Sequence, residues 1–271
     1  MSCDITQFLK SKERIVVLTG AGLSLNSGIP TYRNGAGQWL RNDPIQHNDF
    51  LHKEIARQRY WARSYAGWPA VRHATPNRAH ENLVQLEAQK KISLLVTQNV
   101  DRLHQRAGHQ KVIDLHGRLD KVICLSCGQK SQRSRMQERI QALNSWLPHC
   151  DTIAPDGDAD VSDGIVELFH VPDCECCGGI LKPDVVFFGD AVRREIVSEI
   201  YKKIDESDAL LVVGSSLMVF SGFRFCRYAV GKKIPVACIN PGKTRADGLF
   251  SLKVEERCES VLERVTIALS K

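Results

Sequence analysis

The sequence predicts an α/β chain built on a doubly wound parallel sheet, with a second, smaller module looped out of it. Three observations predict this. Six short apolar runs rich in β-branched residues are spaced along the chain. Amphipathic helical patterns lie between several of them. One region breaks the alternation and carries two Cys-x-x-Cys pairs, Cys124/Cys127 and Cys174/Cys177, with forty-six residues between them.

The first run, Ile15–Thr19, leads into Gly20-Ala21-Gly22. A strand ending in small residues lets the backbone approach a pyrophosphate, and the turn that follows offers free N–H groups. The spacing departs from the usual dinucleotide fingerprint. Leu25 stands at the third glycine position, Gly28 comes later, and no acidic residue on a second strand follows about twenty residues on. A tight strand-to-helix turn without a ligand is the competing reading. Gly28 and Pro30 then prevent Ser24–Arg33 from being one plain helix. This segment reads as a lid over a cofactor with Arg33 as its phosphate partner or anchor, or else as a surface loop with a solvated arginine.

Residues 34–68, rich in aromatics and arginines, read as a helical excursion over the cofactor edge. Thr75-Pro76-Asn77 is a start signal for a helix over Arg78–Lys90. The second run, Ile92–Thr97, ends in Gln98-Asn99-Val100-Asp101, where side-chain amides and a carboxylate can meet a ligand at the carboxyl edge of a sheet. Asp101 can equally form an Asx-turn and cap the helix after it. The third run, Val112–Leu115, delivers His116, well placed as a general base. Of the nine histidines, His73, His104, His109 and His149 have no comparable setting.

Residues 121–180 form the small module. Each cysteine pair can chelate a metal from a tight knuckle, and four thiolates suit one closed, structural, tetrahedral zinc ion. Cys176 leaves a second register open, although the two-residue spacing favours Cys177. The turn-rich Ala154-Pro155-Asp156-Gly157-Asp158 lies inside a long insert. Val185–Phe188, Ala209–Val213 and Ile234–Ile239 complete the expected parallel strands. Helices are expected over Arg193–Glu206, Ser221–Val230 and Glu256–Leu269. The result is a Rossmann-like dinucleotide-binding domain from residues 1–33, 69–120 and 181–271, the excursion 34–68, and the zinc module 121–180.

The bulk properties agree with this reading. The chain has 271 residues, 43% hydrophobic and 25% charged, enough to bury a sizeable core. The net charge of +6 comes from scattered lysines and arginines with no basic run, so direct nucleic-acid binding is not expected. Ten cysteines, most of them single and some in apolar strands such as Cys238, indicate a reduced compartment rather than a disulfide scaffold. No membrane span or leader is visible, so a cytoplasmic monomer is expected.

Taken together, GAGLSLNSGIPTYR (20–33), TQNVDRLHQRAG (97–108), LHG (115–117), the cysteine pairs, KPDVVFFGD (182–190), GSSLMV (214–219) and INPG (239–242) resemble the sirtuins, closest to the class II, sirtuin-four type. The resemblance runs from about Arg14 to Leu269. It implies NAD-dependent removal of acyl groups from lysine in protein substrates, yielding nicotinamide and O-acyl-ADP-ribose. It assigns His116 as the base acting on a ribose hydroxyl, with Asn99 and Asp101 as catalytic partners. Gly20, Ala21, Gly22, Ile29, Tyr32, Arg33, Gln98, Asn99 and Asp101 are implied on NAD. Gly214, Ser215 and Ser216 would line its phosphate and adenosine side, with Asn240 near the adenosine ribose and Cys258 near the adenine. Val186, Phe188 and Gly189 would pair with the substrate backbone. Thr31 departs from the family, which often carries an acidic residue there. Tyr60 and Arg63 resemble a pair that reads acidic acyl tails in desuccinylating sirtuins. Against that, Arg57, Arg59 and Arg63 can be one solvated face. Mono-ADP-ribosyl transfer, a zinc-stabilised binding module and a hydride-transferring dehydrogenase are the competing functions.

Overall fold

The computed structural model describes residues 2–32, 34, 36, 38, 40, 44–147 and 158–270. Its centre is a six-stranded sheet. β1 (Ile15–Thr19), β2 (Ile92–Thr97) and β3 (Val112–Asp114) form one half. β7 (Ala209–Val213), β8 (Val236–Ile239) and β9 (Leu252–Val254) form the other. The order is β3-β2-β1-β7-β8-β9, and every pairing is parallel. This is the doubly wound arrangement, in which the order reverses between β1 and β7.

The apolar runs form strands because both faces of the sheet are covered. Ile15 and Val17 face a core layer with Ile5 and Leu9 of α1 (Ser2–Lys10), Leu83 and Leu86 of α4 (Arg78–Ala88), and Val261 and Val265 of α10 (Cys258–Leu269). Val16 and Leu18 face the other layer, with Ile200 and Ile204 of α8 (Arg194–Asp205) and Phe225 and Ala229 of α9 (Phe220–Gly231). A strand buried on both faces loses the polar alternation of a half-exposed one. Asn77 starts α4 as expected, since its side chain accepts from the Ala79 amide at 2.9 Å. Its Nδ2 also donates to the Leu23 carbonyl at 2.8 Å, tying the helix to the glycine turn.

Two strands differ from expectation. Val185–Phe188 does not join the parallel sheet. The chain instead forms β6 (Leu181–Val185), antiparallel to β4 (Gly117–Cys124), which also pairs with β5 (Lys130–Gln132) in a separate three-stranded sheet. The sixth parallel strand is β9, whose three residues, one of them Lys253, were too short and polar to register as an apolar run. The excursion 34–68 contains α2 (His47–His52) and most of the twenty-residue α3 (Glu54–His73).

The small module leaves and re-enters at one neck. Gly117 pairs with Val185, and the Val186 amide donates to the His116 carbonyl at 2.8 Å. A Cβ on Gly117 would lie 2.1 Å from the Asp184 carbonyl oxygen, with φ at +82°, so only glycine fits the crossing. Within the module, α6 (Arg133–Leu143) inserts Arg133 between Trp61 and Trp68 of α3, 5.4 and 4.8 Å from their ring centres. Trp61 Nε1 donates to the Leu181 carbonyl at 3.1 Å, and its side chain is fully buried.

Trp61→Ala should therefore destabilise the protein by about 3–5 kcal/mol, read as a lower denaturant midpoint. Trp61→Phe should cost about 1–3 kcal/mol, mainly for the carbonyl left unpaired. Equal effects of the two variants would show that the indole hydrogen bond carries the whole contribution.

Candidate active site

A cavity of about 990 Å³ opens at the carboxyl edge of the sheet, where β1 and β7 diverge. Its floor is a backbone crossing. Gly20 N–H donates to the Val213 carbonyl at 3.2 Å, and Gly22 N–H to the Gly214 carbonyl at 2.8 Å. A Cβ on Gly22 would sit 2.8 Å from the Gly214 oxygen, and one on Gly214 would sit 2.5 Å from the Leu23 nitrogen. The glycines thus let two backbones touch at the switch point, the place where dinucleotides bind in such sheets. Gly20, Ala21, Gly22, Gly214, Ser215, Ser216, Asn240 and Cys258 all face this cavity. So does Tyr32, whereas Arg33 lies outside the described residues. Ile29 is buried in a core cluster with Val100 and Leu103 and does not line the cavity wall.

The residues after β2 are fixed by hydrogen bonds across this crossing. Gln98 Nε2 donates to the Thr19 carbonyl at 3.1 Å and to Ser215 Oγ at 2.7 Å. Asn99 Nδ2 donates to the Gly20 carbonyl and to Ser24 Oγ, both at 3.1 Å, which commits its amide nitrogen to the protein. Ser24 Oγ in turn donates to Asp101 Oδ2 at 2.8 Å, and Asp101 Oδ1 accepts from the Leu103 amide at 2.9 Å. Asp101 is therefore the expected Asx-turn, and it also anchors the Asn99 and Ser24 side chains from one layer behind the wall. Burial raises its pKa, opposed by these two hydrogen bonds.

His116 stands on the cavity wall between the switch point and the Val186–Gly189 segment. Its Nδ1 lies 3.0 Å from the Gln98 carbonyl, an acceptor, so Nδ1 carries the proton in the neutral ring. Nε2 is then the basic nitrogen and accepts from Ser221 Oγ at 2.7 Å. Burial pushes its pKa down to about 4, only partly opposed by the Gln98 carbonyl. Nothing in the sequence pointed to Ser221, because it is 105 positions from His116 in the chain. The same holds for Ser24, the link between Asn99 and Asp101. Two histidines that seemed without context are buried together. His104 Nε2 lies 2.9 Å from Thr19 Oγ1, its ring 4.9 Å from that of His80 and 5.2 Å from that of His109.

On the far wall, Val186, Phe188 and Gly189 follow β6, with Phe188 bridged in parallel to Gln46. Tyr60 packs edge-on against Phe50, with its ring 5.1 Å from that of Phe187. Arg63 faces the cavity one turn along α3, but its guanidinium is engaged. Nη2 pairs with Asp158 Oδ2, and Nε donates to the Ala159 carbonyl at 3.2 Å.

The four expected cysteines converge in the small module. Cys124 and Cys177 Sγ are 3.5 Å apart, Cys127 and Cys174 Sγ 3.8 Å, and all four lie within 4.8 Å of one another. A zinc tetrahedron with bonds of about 2.3 Å has sulfur–sulfur edges of about 3.8 Å. The donor set therefore fits one closed zinc site with no open position, and Cys177 rather than Cys176 completes it. Cys124, Cys127, Cys174, Cys176, Cys177, Cys226, Cys238 and Cys258 are free thiols.

A parallel sheet with a glycine crossing at its switch point and a histidine beside it defines a dinucleotide-binding class of protein, here with a second module whose four thiols can hold a metal. The chain belongs to the Sir2 family, whose model matches residues 20–221. It is 52% identical over 259 residues, 95% of both chains, to an NAD-dependent protein deacetylase 2 of Bradyrhizobium diazoefficiens. It is 48% identical over 263 residues to an NAD-dependent protein lipoamidase, the mitochondrial sirtuin-4 of Bos taurus, covering 96% of this chain and 84% of that protein. Among solved structures, a Sir2 complex with a peptide and NAD+ superposes with a TM-score of 0.80 at 27% identity, covering 100% and 99% of the two chains. A Sir2 bound to an acetylated peptide gives 0.79 at 26%, with the same coverage.

Replacing Cys177 with Ala should remove about one equivalent of bound zinc and lower the melting temperature, since the metal's binding energy is folding energy. Cys176→Ala should retain the metal. Zinc content measured on purified proteins decides between the two registers.

Proposed function

We propose that the protein is an NAD-dependent lysine deacylase acting on acylated proteins, and that His116 is its base. The observation that carries this is the placement of His116. His116 lines the cavity with its Nε2 bonded to Ser221, a lining residue of the same cavity, while Nδ1 is held by the Gln98 carbonyl.

Gly20–Gly22 and Gly214–Ser216 would hold the pyrophosphate and adenosine side of NAD, with Asn240 and Cys258 at the adenosine end. Gln98 and Asn99 would shape the nicotinamide and ribose side, with Tyr32 beside them and Asp101 holding Ser24 and, through it, Asn99 from behind the wall. Bound NAD supplies a ribose carbon that accepts the acyl oxygen as nicotinamide leaves. His116 Nε2 would accept a proton from a ribose hydroxyl of the bound cofactor, with the Gln98 carbonyl keeping Nδ1 as the protonated nitrogen beforehand so that Nε2 is the free base. Asn99, its amide nitrogen committed to Gly20 and Ser24, offers its carbonyl side to the ligand in one fixed orientation. The segment from Val186 to Gly189 offers main-chain partners to an extended peptide, a recognition mode that reads backbone more than sequence. Cys124, Cys127, Cys174 and Cys177 would hold a zinc ion with all four positions filled by thiolates, so it would serve the fold rather than the reaction.

No helix among the described residues is long and apolar enough to cross a membrane. Free thiols and an assembled thiolate site support a cytoplasmic setting, and we propose that the protein works there as a monomer without binding nucleic acid.

Nicotinamide release from NAD should depend on an acyl-lysine peptide and fall at least 10³-fold in His116→Ala, on the order expected for a lost general base. Silence across acetyl, succinyl, glutaryl, methylglutaryl and lipoyl peptides, with NAD still bound, would overturn the reading. Because its pKa lies near 4, His116 stays unprotonated through neutral pH. The acid limb of kcat/KM should therefore lie below about pH 5 rather than near the ordinary histidine value. The same depressed pKa means that its contribution to stability is complete above about pH 6.5 and is lost as pH falls toward 4.

A further inference from the structure

We infer that Asp158 sets the acyl preference, by acting as a resident anion on Arg63 that an acidic acyl tail must displace. The inference rests on the deacylase reading above. Arg63 and Asp158 both face the cavity, beside Tyr60 and Ser64. Arg63 is the cation that α3 contributes to this wall. Its side chain is 16% exposed and that of Asp158 35%, so solvent screens the pair only partly.

The geometry names the edge at stake. A guanidinium grips a carboxylate most firmly through two parallel N–H groups, and the Nε/Nη2 pair is one such edge. Here Nη2 is taken by Asp158 and Nε by the Ala159 carbonyl, so adjacent residues of the insert fill both positions. A second carboxylate arriving at the end of an acyl chain meets the Asp158 charge and finds this edge occupied. Like charges crowded at one site disfavour each other's ionised form. A neutral acyl group meets no such opposition, and the apolar faces of Val185, Phe187 and Leu119 remain open to it. The Tyr60–Arg63 pair therefore does not by itself make the enzyme a reader of acidic tails, because its cation is already answered from within the chain.

The test compares acetyl-, succinyl- and glutaryl-lysine forms of one peptide on the wild type, Asp158→Asn, Arg63→Gln and the double variant. Turnover is followed by nicotinamide release. Binding is followed in parallel by fluorescence anisotropy of the labelled peptides. Asp158→Asn keeps the size of the side chain, removes its charge, and replaces one of its two accepting oxygens with an N–H donor. It should raise the glutaryl-to-acetyl ratio on the order of tenfold, the size of one charge-assisted hydrogen bond. The gain should vanish when Arg63→Gln is added, which separates a specific exchange from a general change in cavity charge. Asp158→Ser, with melting temperatures for all variants, repeats the comparison if the first variant folds poorly.

An unchanged ratio in both Asp158 variants, or a gain that survives the loss of Arg63, would overturn the inference. Failure of every peptide to turn over would count against the deacylase reading alone. The binding ratios would still decide the role of Asp158.

Discussion

Everything at the site depends on two backbones that cross without a side chain between them. Gly22 N–H meets the Gly214 carbonyl at the point where β1 and β7 part. A methyl group on either side would collide with main chain, which cannot move without moving a strand. Because the strands touch there, the loops beyond them are close enough to exchange side-chain hydrogen bonds. Gln98 reaches Ser215, and Asn99 reaches Gly20. The cavity is the space left above this contact, and its polar floor is held by groups already paired with one another.

That pairing explains how a set of polar residues can line a deep site before any ligand arrives. The amide of Asn99, the hydroxyl of Ser24 and the carboxylate of Asp101 form one directed chain. Each donor has an acceptor, so desolvation of the group costs little and its orientation is set in advance. His116 follows the same logic. A carbonyl takes its one proton, burial disfavours a second, and the basic nitrogen accepts from the Ser221 hydroxyl at 2.7 Å. The ring is oriented in advance, and only the Ser221 hydroxyl has to yield before Nε2 can meet another proton donor.

Much of this was legible in the residues, and what was not has physical reasons. β1, β2 and β7 announce themselves because central parallel strands are apolar on both faces. β9 does not, because an edge strand of three residues has no room for a pattern. Val185–Phe188 has the apolar run of a central parallel strand, but the strand is Leu181–Val185, where Lys182 and Pro183 suit a short antiparallel edge. His116 was recognisable from its position after a strand, and the four cysteines from their spacing. Ser221 and Asp158 were not, because their meaning lies wholly in partners 105 and 95 positions away. His104 and His109 seemed idle in sequence because their context, a buried cluster of tilted rings with His80, is purely tertiary.

The neck at Gly117 and Val185 has a consequence for how such a chain diversifies. Both ends of the small module emerge side by side, joined by hydrogen bonds, so whatever lies between them forms a closed excursion. Lengthening that excursion adds closure entropy only slowly, as the logarithm of its length. The module is in this sense an exchangeable cassette. Recombination or insertion within it leaves the nucleotide-facing sheet in register, and the Val186–Gly189 segment just beyond the neck is the stretch of cavity wall that continues directly from it. Selectivity can thus be rewritten in one part of the gene while the reaction is inherited unchanged from another.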